Sequence, residues 1–439
     1  MNIIMFTNTF SPHIGGVAHS VSWLAESLRS AGHGVLVVAP EFPGSTEDEP
    51  GVVRIPAMQN FGGTDFSVPI PLTRSLHETI AAFAPDVVHS HHPFLLGDTA
   101  LRVAASFDLP IVYTYHTRYE LYGHYVAQDA PVLQRLVLSL ALGYCDLCDA
   151  VIAPSRSMAG FLVEHGVKRP TTAIPTGIEI GRFDSGDGHA ARVAAGLPGD
   201  AFVVGHVGRL APEKNLDFLA EAISRFLVLH TNAHFLVVGE GPMRQRLKEL
   251  FADHGLADRV HLPGAIEGDR LADMYAAMDV FVFSSHSETQ GLVLAEAMAA
   301  GVPVIALDAF GAREVVRDGL NGRLLPSSAP ADQFAEAVCW LASRNSRERR
   351  NLREAAHRTS NLFTREKATR RVLELYRSLV PQSMARTVDP SLWMTTMRRL
   401  EQEWKILRNV AHAVGDAVLT REPTEAIPSP EHQSTVASP

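Results

Sequence analysis

The sequence predicts an α/β protein with two successive doubly wound parallel sheets. Short apolar runs alternate with helical stretches through the first half of the chain, and the same alternation restarts after residue 199. A helix between two strands returns the second strand in the same direction, so the alternation favours parallel sheets. A length of 439 residues suggests two or three domains, and 46% hydrophobic residues provide an ample core.

Each half of the chain supplies five or more predicted strands. A strand at 2–7 opens the chain, and a helix at 17–29 follows after a loop that contains Gly15 and Gly16. The Gly- and Asp-rich residues 176–199 are interpreted as a linker between the halves. The other predicted strands lie at 35–39, 86–90, 110–115, 150–153, 171–175, 202–207, 234–238, 259–262, 280–283 and 303–306.

A single apolar stripe of helical spacing lies near the C-terminus. It is flanked by basic side chains at 398, 399, 405 and 408, and two interpretations stay open. The stripe could meet anionic lipid as an interfacial helix, or it could pack against the first domain or a second copy. Its members are Trp393, Met397, Leu400, Trp404, Leu407, Ala411, Val414 and Val418.

Charge and composition narrow the class of partner. Lys plus Arg number 39 against 48 for Asp plus Glu, a formal net charge of −9, so no nucleic-acid partner is expected. No apolar run reaches the ~20 residues that span a bilayer. We therefore expect a cytoplasmic protein, either free or peripheral at the inner face of the membrane. The Cys145 and Cys148 pair is interpreted as two small buried hydrophobes.

The stretch after the predicted strand 280–283 carries the densest functional signal. Glu288 lies in a Ser-rich loop, and Glu296 lies in the helix that begins near Gly291. Free N–H groups at a helix N-terminus bind anions, and carboxylates accept hydrogen bonds from hydroxyl groups. This combination suits a nucleotide-sugar, although a solvated helix carboxylate remains the alternative for Glu296.

Two further motifs also follow strands. Gly15 and Gly16 lie between the first strand and the first helix, where glycine lets a phosphate approach the backbone. Arg209 and Lys214 follow the first strand of the second half, and two cations at this spacing can bracket a diphosphate. The alternatives are a tight turn for the glycines and a salt-bridged surface loop for the cations.

The segment from Glu288 through Glu296, Glu-Thr-Gln-Gly-Leu-Val followed by Glu-Ala-Met, resembles the signature of family 4 retaining glycosyltransferases. The resemblance covers nearly the whole chain to about residue 380 and implies the GT-B fold, two Rossmann-like domains facing a cleft, here with a C-terminal helical extension. It implies an acceptor-binding domain at 1–180, a nucleotide-sugar domain at 181–364 and a crossover helix at 365–385. An amphipathic helix at 386–419 and a disordered tail at 420–439 complete the predicted organisation.

The resemblance implies a role for each donor-side residue. Glu288 would accept hydrogen bonds from the sugar hydroxyls, Glu296 from the ribose. The N–H groups of Gly291, Leu292 and Val293 would hold phosphate oxygens.

Other donor-side roles also rest on the resemblance. Gly15 and Gly16 would approach the donor phosphate, the segment with Ile266 would lie against the nucleobase, and His116 would contact the sugar near its reacting carbon. With Glu288, Arg209 and Lys214, His116 completes the set expected to act in catalysis.

On the acceptor side the sequence departs from the usual family pattern. Gln290 replaces the usual aromatic residue before Gly291, and this Thr-Gln-Gly version resembles the branch that acts on diacylglycerol. An aromatic-rich run at 113–125 suits an amphipathic acceptor. The residues expected to contact the acceptor are His91, Arg118, Tyr119 and Tyr122.

The same region raises a metal hypothesis. Histidine is a zinc ligand, yet no carboxylate stands at a recognised metal-motif spacing from these side chains. Transfer in the resembled family requires no divalent ion, so no metal and no cofactor are expected. The histidines concerned are His89, His91, His92, His116 and His124.

These observations predict a retaining transferase that moves a hexose from a nucleotide diphosphate, UDP-glucose first, to a lipid such as diacylglycerol. A glycan or small soluble acceptor, with GDP-mannose or UDP-galactose as donor, is the alternative. A sugar-nucleotide-binding protein without turnover is the alternative from another class. A glycoside hydrolase using Glu288 and Glu296 would leave Arg209, Lys214 and the glycine loop without a purpose. The oligomeric state stays open.

Overall fold

A computed structural model gives the structure of the protein and describes residues 1–13, 15–45, 49–58, 68–69, 74–119, 131–380 and 392–419. Two parallel sheets of seven and six strands organise these residues, and a short antiparallel pair accompanies them. The predicted pair of parallel sheets is therefore confirmed. Tyr122, His124 and the tail at 420–439 lie outside the described residues.

The first domain is built on the seven-stranded sheet. In chain order its elements are β1 (Asn2–Phe6), α1 (Gly16–Ser30), β2 (Gly34–Pro40), β3 (Val52–Ile55), β4 (Ala57–Met58), β5 (Val68–Pro69), α2 (Arg74–Phe83), β6 (Val87–Ser90), α3 (Leu96–Phe107), β7 (Ile111–Thr114), α4 (Pro131–Leu147), β8 (Ala150–Ala153), α5 (Arg156–Glu164) and β9 (Thr171–Ala173). The strand order is β3-β2-β1-β6-β7-β8-β9, and every neighbouring pair is parallel.

Strand β1 shows why these runs are continuously apolar. Ile3 and Met5 point into the core on one face of the sheet, while Ile4 and Phe6 point into the core on the other. Side chains alternate between the two faces of a strand, and helices cover both faces of a doubly wound sheet. A strand with two buried faces therefore needs apolar residues at every position.

The second domain is built on the six-stranded sheet. Its elements are α6 (Ile180–Asp184), α7 (Gly188–Ala194), β10 (Phe202–Val207), α8 (Leu216–Leu229), β11 (Ala233–Val238), α9 (Arg244–Asp253), β12 (Val260–Gly264), α10 (Asp269–Ala276), β13 (Val280–Phe283), α11 (Leu292–Ala299), β14 (Val304–Leu307), α12 (Ala312–Val315), β15 (Gly322–Leu325), α13 (Ala331–Ala342) and α14 (Ser346–Ser360). The strand order is β12-β11-β10-β13-β14-β15, again all parallel.

The predicted linker at 176–199 is wrong in its central part, because the chain forms α6 and α7 there. Helix α7 packs against α10 so closely that a Cβ on Gly188 would lie 2.3 Å from the carbonyl oxygen of Ala276. Gly186 and Gly188 therefore allow close packing against α10, although the glycine content of the stretch resembles that of a flexible linker.

The strand orders place two crevices at the carboxyl ends of the sheets. In the first sheet β2 lies on one side of β1 and β6 lies on the other. In the second sheet β11 lies on one side of β10 and β13 lies on the other. Ligands of open parallel sheets bind at such switch points. The loops that follow β1, β6, β10 and β13 carry most of the candidate site, and His116 after β7 and Ile266 after β12 add to it.

Helix α15 (Arg365–Leu379) returns the chain to the first domain. It packs against α1 and buries Val372, Leu373 and Tyr376 in the core that also contains Ile3 and Met5. The Tyr376 hydroxyl lies 2.6 Å from Nδ1 of the buried His89. This contact links helix α15 to strand β6.

Helix α16 (Leu392–Leu419) confirms the predicted C-terminal helix, and it docks against α3 and α4. The docked face is not the predicted stripe: Ile406, Ala413 and Ala417 are buried instead. The stripe members from Met397 to Val414 face solvent, with Trp404 65% exposed and Leu407 61% exposed. Among the described helices, none is long and apolar enough to cross a membrane.

Replacing Tyr376 by Phe should lower the resistance to urea, because Nδ1 of the buried His89 loses its hydrogen-bond partner. An unpaired buried polar atom costs ~1–3 kcal/mol. Urea unfolding followed by intrinsic fluorescence measures the midpoint. The matched control is Tyr376→Leu, which also leaves a cavity and should shift the midpoint further. An unchanged midpoint in Tyr376→Phe would show that this hydrogen bond contributes nothing.

Candidate active site

The Glu288 carboxylate joins two positive features at the mouth of α11. Its Oε1 accepts a hydrogen bond from the Gly291 N–H at 2.9 Å, and its Oε2 lies 3.5 Å from Nζ of Lys214. Both side chains are largely buried, with 17% and 19% of their surfaces exposed. The helix N-terminus carries partial positive charge, so Glu288 is held by a dipole and an ammonium group together.

The first N–H groups of α11 stand beside this carboxylate. Gly291 has φ +81°, a left-handed conformation that favours glycine, and it precedes the first helical residue, Leu292. The N–H groups of Leu292 and Val293 have no intrahelical acceptor, and neither donates to a described residue. In the absence of a ligand, Glu288 therefore satisfies Gly291, and the next two donors remain for an anion.

Serine hydroxyls hold the lysine loop against the Glu288 loop. Ser284 Oγ donates to the carbonyl of Lys214 at 3.0 Å, and Ser285 Oγ donates to the carbonyl of Glu213 at 3.2 Å. The sequence predicted only a Ser-rich loop after β13. The clustering of these serines at a strand end was the available signal, but their partners lie about 70 residues away.

Arg209 takes a more exposed position than Lys214. Its guanidinium donates to Glu213 at 2.5 Å, and half of its side chain is exposed. The two cations predicted to bind the diphosphate are therefore placed differently. Lys214 faces Glu288, whereas Arg209 pairs with Glu213 of its own loop.

Glu296 is buried on the flank of α11, with 7% of its surface exposed. Its Oε2 accepts a 2.8 Å hydrogen bond from the Tyr275 hydroxyl. Burial raises the pKa of Glu296 to about 7, while the Tyr275 hydrogen bond and Arg182 act to lower it and Glu288 acts to raise it. The alternative of a solvated helix carboxylate is therefore wrong.

A histidine stack lies under the first-domain side of the crevice. His116 Nε2 lies 3.0 Å from Nδ1 of His91, and the His91 ring lies 4.0 Å from the ring of His89. Desolvation lowers the pKa of His116 to about 4 and that of His89 to about 3, so both rings are neutral near pH 7. His91 is 1% exposed and lines the same cavity as His116, and its contact with an acceptor stays a prediction. Its ring also supports that of His116.

The glycine loop and the Ile266 loop leave open space. A Cβ on Gly16, the first residue of α1, would meet no protein atom within 4 Å, and a Cβ on Gly15 would meet only the ring of His13, at 3.4 Å. Ile266 follows β12 and is half-buried against the second-domain core. Neither glycine is required by internal packing, which agrees with space kept for a ligand.

Three contacts join the two domains beside the site. Thr289 Oγ1 donates to the carbonyl of His116 at 3.1 Å, and Gln290 Nε2 donates to the carbonyl of Thr176 at 2.8 Å. Phe310, after β14, inserts toward the first domain, with its ring 4.8 Å from the Arg118 guanidinium. The loop that holds Glu288 is therefore placed directly against the His116 backbone.

Arg118 and Tyr119, which were predicted to contact the acceptor, occupy different environments in the structure. Arg118 lies between the rings of Phe310 and Phe161, so it bridges the domains. Tyr119 packs edge-on against Phe94 and Tyr115 at the margin of the first-domain core, which leaves less of it for an acceptor than predicted.

Gly311, the last residue of the Asp-Ala-Phe-Gly segment at 308–311, lies against the Glu288 loop. A Cβ on Gly311 would lie 2.5 Å from the nitrogen of Gly291, and the Gly311 N–H donates to the carbonyl of Glu288 at 3.0 Å. Only glycine allows this approach of the two loops.

Two family models match consecutive parts of the chain. The model described as Glycosyltransferase Family 4 matches residues 14–182, and that described as Glycosyl transferases group 1 matches residues 189–359. A GDP-mannose-dependent alpha-mannosyltransferase of Mycobacterium tuberculosis is 31% identical over 79% of this chain and 89% of its own length. The chain is a family 4 glycosyltransferase.

Further similarities extend this assignment. An alpha-monoglucosyldiacylglycerol synthase of Acholeplasma laidlawii is 32% identical over 73% of this glycosyltransferase and 84% of its own length. The structure of a sucrose-phosphate synthase from Thermosynechococcus elongatus superposes with a TM-score of 0.72, at 24% identity, over 86% of this chain and 98% of that one. The fold of the glycosyltransferase is GT-B, as the resemblance implied.

The metal hypothesis finds no support in the described part of the glycosyltransferase. There, no three His, Cys, Asp or Glu side chains are grouped so that they could hold a metal ion. Both ring nitrogens of His89 have protein partners, Thr114 at 2.7 Å and Tyr376. His124 lies outside the described residues.

Lys214→Ala should reduce the turnover of the glycosyltransferase by ~10²–10³, because the departing diphosphate loses a pre-positioned cation. Initial rates of nucleotide release measure the effect. Lys248→Ala is the matched control, since Lys248 lies on α9, outside the candidate site, and its loss should leave the rate unchanged. Turnover retained in Lys214→Ala would remove this lysine from the reaction.

Glu296→Gln should change how the melting temperature depends on pH. Between the pKa of an unfolded Glu, ~4.3, and the folded value of about 7, the unfolded chain loses its proton first. Wild-type stability therefore falls as pH rises through this window, whereas Gln titrates in neither state. The melting temperature of the variant relative to wild type should rise from pH 4.5 to 7 and then level. A flat difference, as expected for the exposed control Glu164→Gln, would contradict the buried assignment.

Proposed function

We propose that this glycosyltransferase transfers a hexose, with retention of anomeric configuration, from a nucleotide-diphosphate sugar to a lipid-type acceptor such as diacylglycerol. UDP-glucose is the proposed donor. The observation that carries the proposal is the Lys214, Glu288 and α11 N-terminus arrangement at the crevice. It combines an anion seat with a carboxylate for sugar hydroxyls within one rigid unit.

The diphosphate is proposed to bind at the N-terminus of α11. The N–H groups of Leu292 and Val293 are available as donors. The Lys214 ammonium group pairs with Glu288 next to this helix N-terminus. Anions are stabilised where free N–H groups and a helix dipole coincide. Arg209, half-exposed at the rim, adds a second cation that can move onto the phosphates.

The reaction needs stabilisation of the negative charge that develops on the departing nucleotide diphosphate. The bond between sugar C1 and the phosphate oxygen breaks, and the acceptor oxygen bonds to C1 on the same face. The acceptor proton passes to the departing phosphate oxygen, so no protein nucleophile is required. Lys214 and the α11 N–H groups offset the charge that grows on that phosphate.

The first domain contributes a neutral environment at the sugar. Positive charge develops on the sugar ring in the transition state, as in glycoside cleavage. A charged imidazole beside the ring would oppose it. Burial lowers the pKa of His116 to about 4, so His116 faces the site as a neutral hydrogen-bonding group.

A lipid acceptor is supported by two observations. The Thr289-Gln290-Gly291 sequence resembles the branch acting on diacylglycerol, and the Acholeplasma relative is named as an alpha-monoglucosyldiacylglycerol synthase. A lipid acceptor places the reaction at the cytoplasmic face of the membrane.

GDP-mannose is the second candidate donor. The mycobacterial relative, named as GDP-mannose-dependent, has nearly the same identity as the diacylglycerol relative and covers slightly more of the chain. The donor preference therefore has to be measured.

The full chain, incubated with radiolabelled UDP-glucose, UDP-galactose or GDP-mannose and a total lipid extract, should produce one labelled glycolipid. We expect UDP-glucose to label it and nucleotide to be released in equal amount. Glu288→Gln should lose most of the product because a neutral amide, with one acceptor oxygen, replaces the charged acceptor of the sugar hydroxyls.

The other outcomes are separable. Label transferred only to a water-soluble acceptor would overturn the lipid assignment, and labelling by GDP-mannose alone would overturn the donor assignment. Tight donor binding without transfer to lipid or water would identify a binding protein.

A further inference from the structure

Helix α16 places two of its ion pairs against the first domain and leaves its largest apolar side chains exposed. Glu403 binds Arg102 of α3 through two hydrogen bonds of 2.5 and 3.1 Å, and Arg398 pairs with Asp108 at 3.1 Å. The outer face exposes between 45% and 65% of each large apolar side chain. These are Met397, Leu400, Trp404, Leu407, Val410 and Val414.

Six exposed positions of this face, 397, 400, 404, 407, 411 and 414, follow a heptad in which Ala411 is the small member. The steps between them are three, four, three, four and three residues, the a and d positions of a coiled coil. Val410 lies beside these positions, at a g position. In the sequence the same steps continue to Trp393 and Val418. A strict stripe of this kind is the narrow seam that pairs with another helix, whereas a face buried in a core or a membrane is wider.

We propose that the outward face of α16 binds the same face of a second copy of this chain, as an antiparallel two-stranded coiled coil. The proposal goes beyond the proposed reaction, because no residue of this helix belongs to the candidate site.

An antiparallel register fits both the side chains and the helix ends. When Trp404 faces Leu407 of the second copy, Leu400 faces Ala411 and Met397 faces Val414. Each layer except the central one thus joins a long side chain to a short one. The same register aligns Leu392 with Leu419, the two ends of the 28-residue helix, so its whole length of about 42 Å is paired.

Charge complementarity favours the same register. Positions 401 and 408 are the e positions, and e faces e in an antiparallel pair. Glu401 of one copy therefore lies near Arg408 of the other, twice by symmetry. Glu403, at a g position, is already neutralised by Arg102 and adds no repulsion.

A lipid surface fits these observations less well. Arg398 is bound to Asp108, Arg399 to Ser106 and Lys405 to Glu401, so few cations of α16 are left to meet anionic headgroups. The seam also lacks the strongly basic polar face of membrane-surface helices.

Sedimentation velocity of the full chain should give a particle of twice 47.7 kDa. Leu400→Glu with Leu407→Glu should raise the dimer dissociation constant at least roughly 100-fold, because two apolar contacts per copy are replaced by charge. The matched control is Leu229→Glu on the second domain, 73% exposed, which should remain dimeric. Circular dichroism and an unchanged donor turnover establish that the variants are folded.

Disulfide trapping tests the register. Leu400→Cys with Ala411→Cys should form a covalent dimer on oxidation, while Leu400→Cys alone should not, since antiparallel copies keep the two 400 positions apart. Wild type controls for the native thiols, of which Cys145 and Cys148 are buried and Cys339 half-buried. Trapping by the single variant would identify a parallel pair and overturn the proposed register.

A second test uses charge. Glu401→Arg should weaken the dimer, and Glu401→Arg with Arg408→Glu should restore it. A monomeric wild type at all concentrations would overturn the proposal. If that monomer also sediments with anionic vesicles, and Leu400→Glu with Leu407→Glu abolishes this, the seam is a lipid contact. Either result leaves the sugar-transfer assay, and hence the proposed reaction, to be judged separately.

Discussion

The carboxylate of Glu288 bonds to the Gly291 N–H and the Lys214 ammonium at once, and the neighbouring loops are arranged around this contact. Ser284 and Ser285 hold the lysine loop from one side, and Gly311 closes on the Glu288 loop from the other. Lys214 is consequently fixed before a ligand arrives. A fixed charge stabilises a leaving phosphate without the reorganisation that a solvated lysine would need.

The same loop also couples the two domains. Thr289 and Gln290, the residues next to Glu288, donate hydrogen bonds to backbone carbonyls of the first domain. One of these carbonyls belongs to His116, so His116 and the Glu288 carboxylate are positioned by a common contact. The cation–π contact of Phe310 with Arg118 joins the domains at the same place.

Regular elements were predictable wherever one physical signal dominated. Apolar runs such as 280–283 indicate strands because both faces of a parallel strand are buried. Helices α6 and α7 were missed because the stretch is rich in Gly and Asp like a linker, although Gly186 and Gly188 serve close packing against α10. The burial of Glu296 was also inaccessible, since it depends on Tyr275 and on a core assembled from distant segments. The packing of the His91 ring on His116 was inaccessible as well, since the sequence shows that both residues follow strands but not how their rings meet.

The orientation of α16 shows which force decides a docking face. The ion pairs of its inner face are partly exposed, and such pairs contribute ~0–1 kcal/mol each. Shape contributes more: Ala413 and Ala417 are buried, and a Cβ on Gly143 of α4 would lie 1.7 Å from Oδ1 of Asn409. Small residues let the helices approach closely on that side, where the bulky Trp404 and Leu407 could not fit. The apolar stripe is thus outside because of its size, a criterion that hydrophobic periodicity alone does not contain.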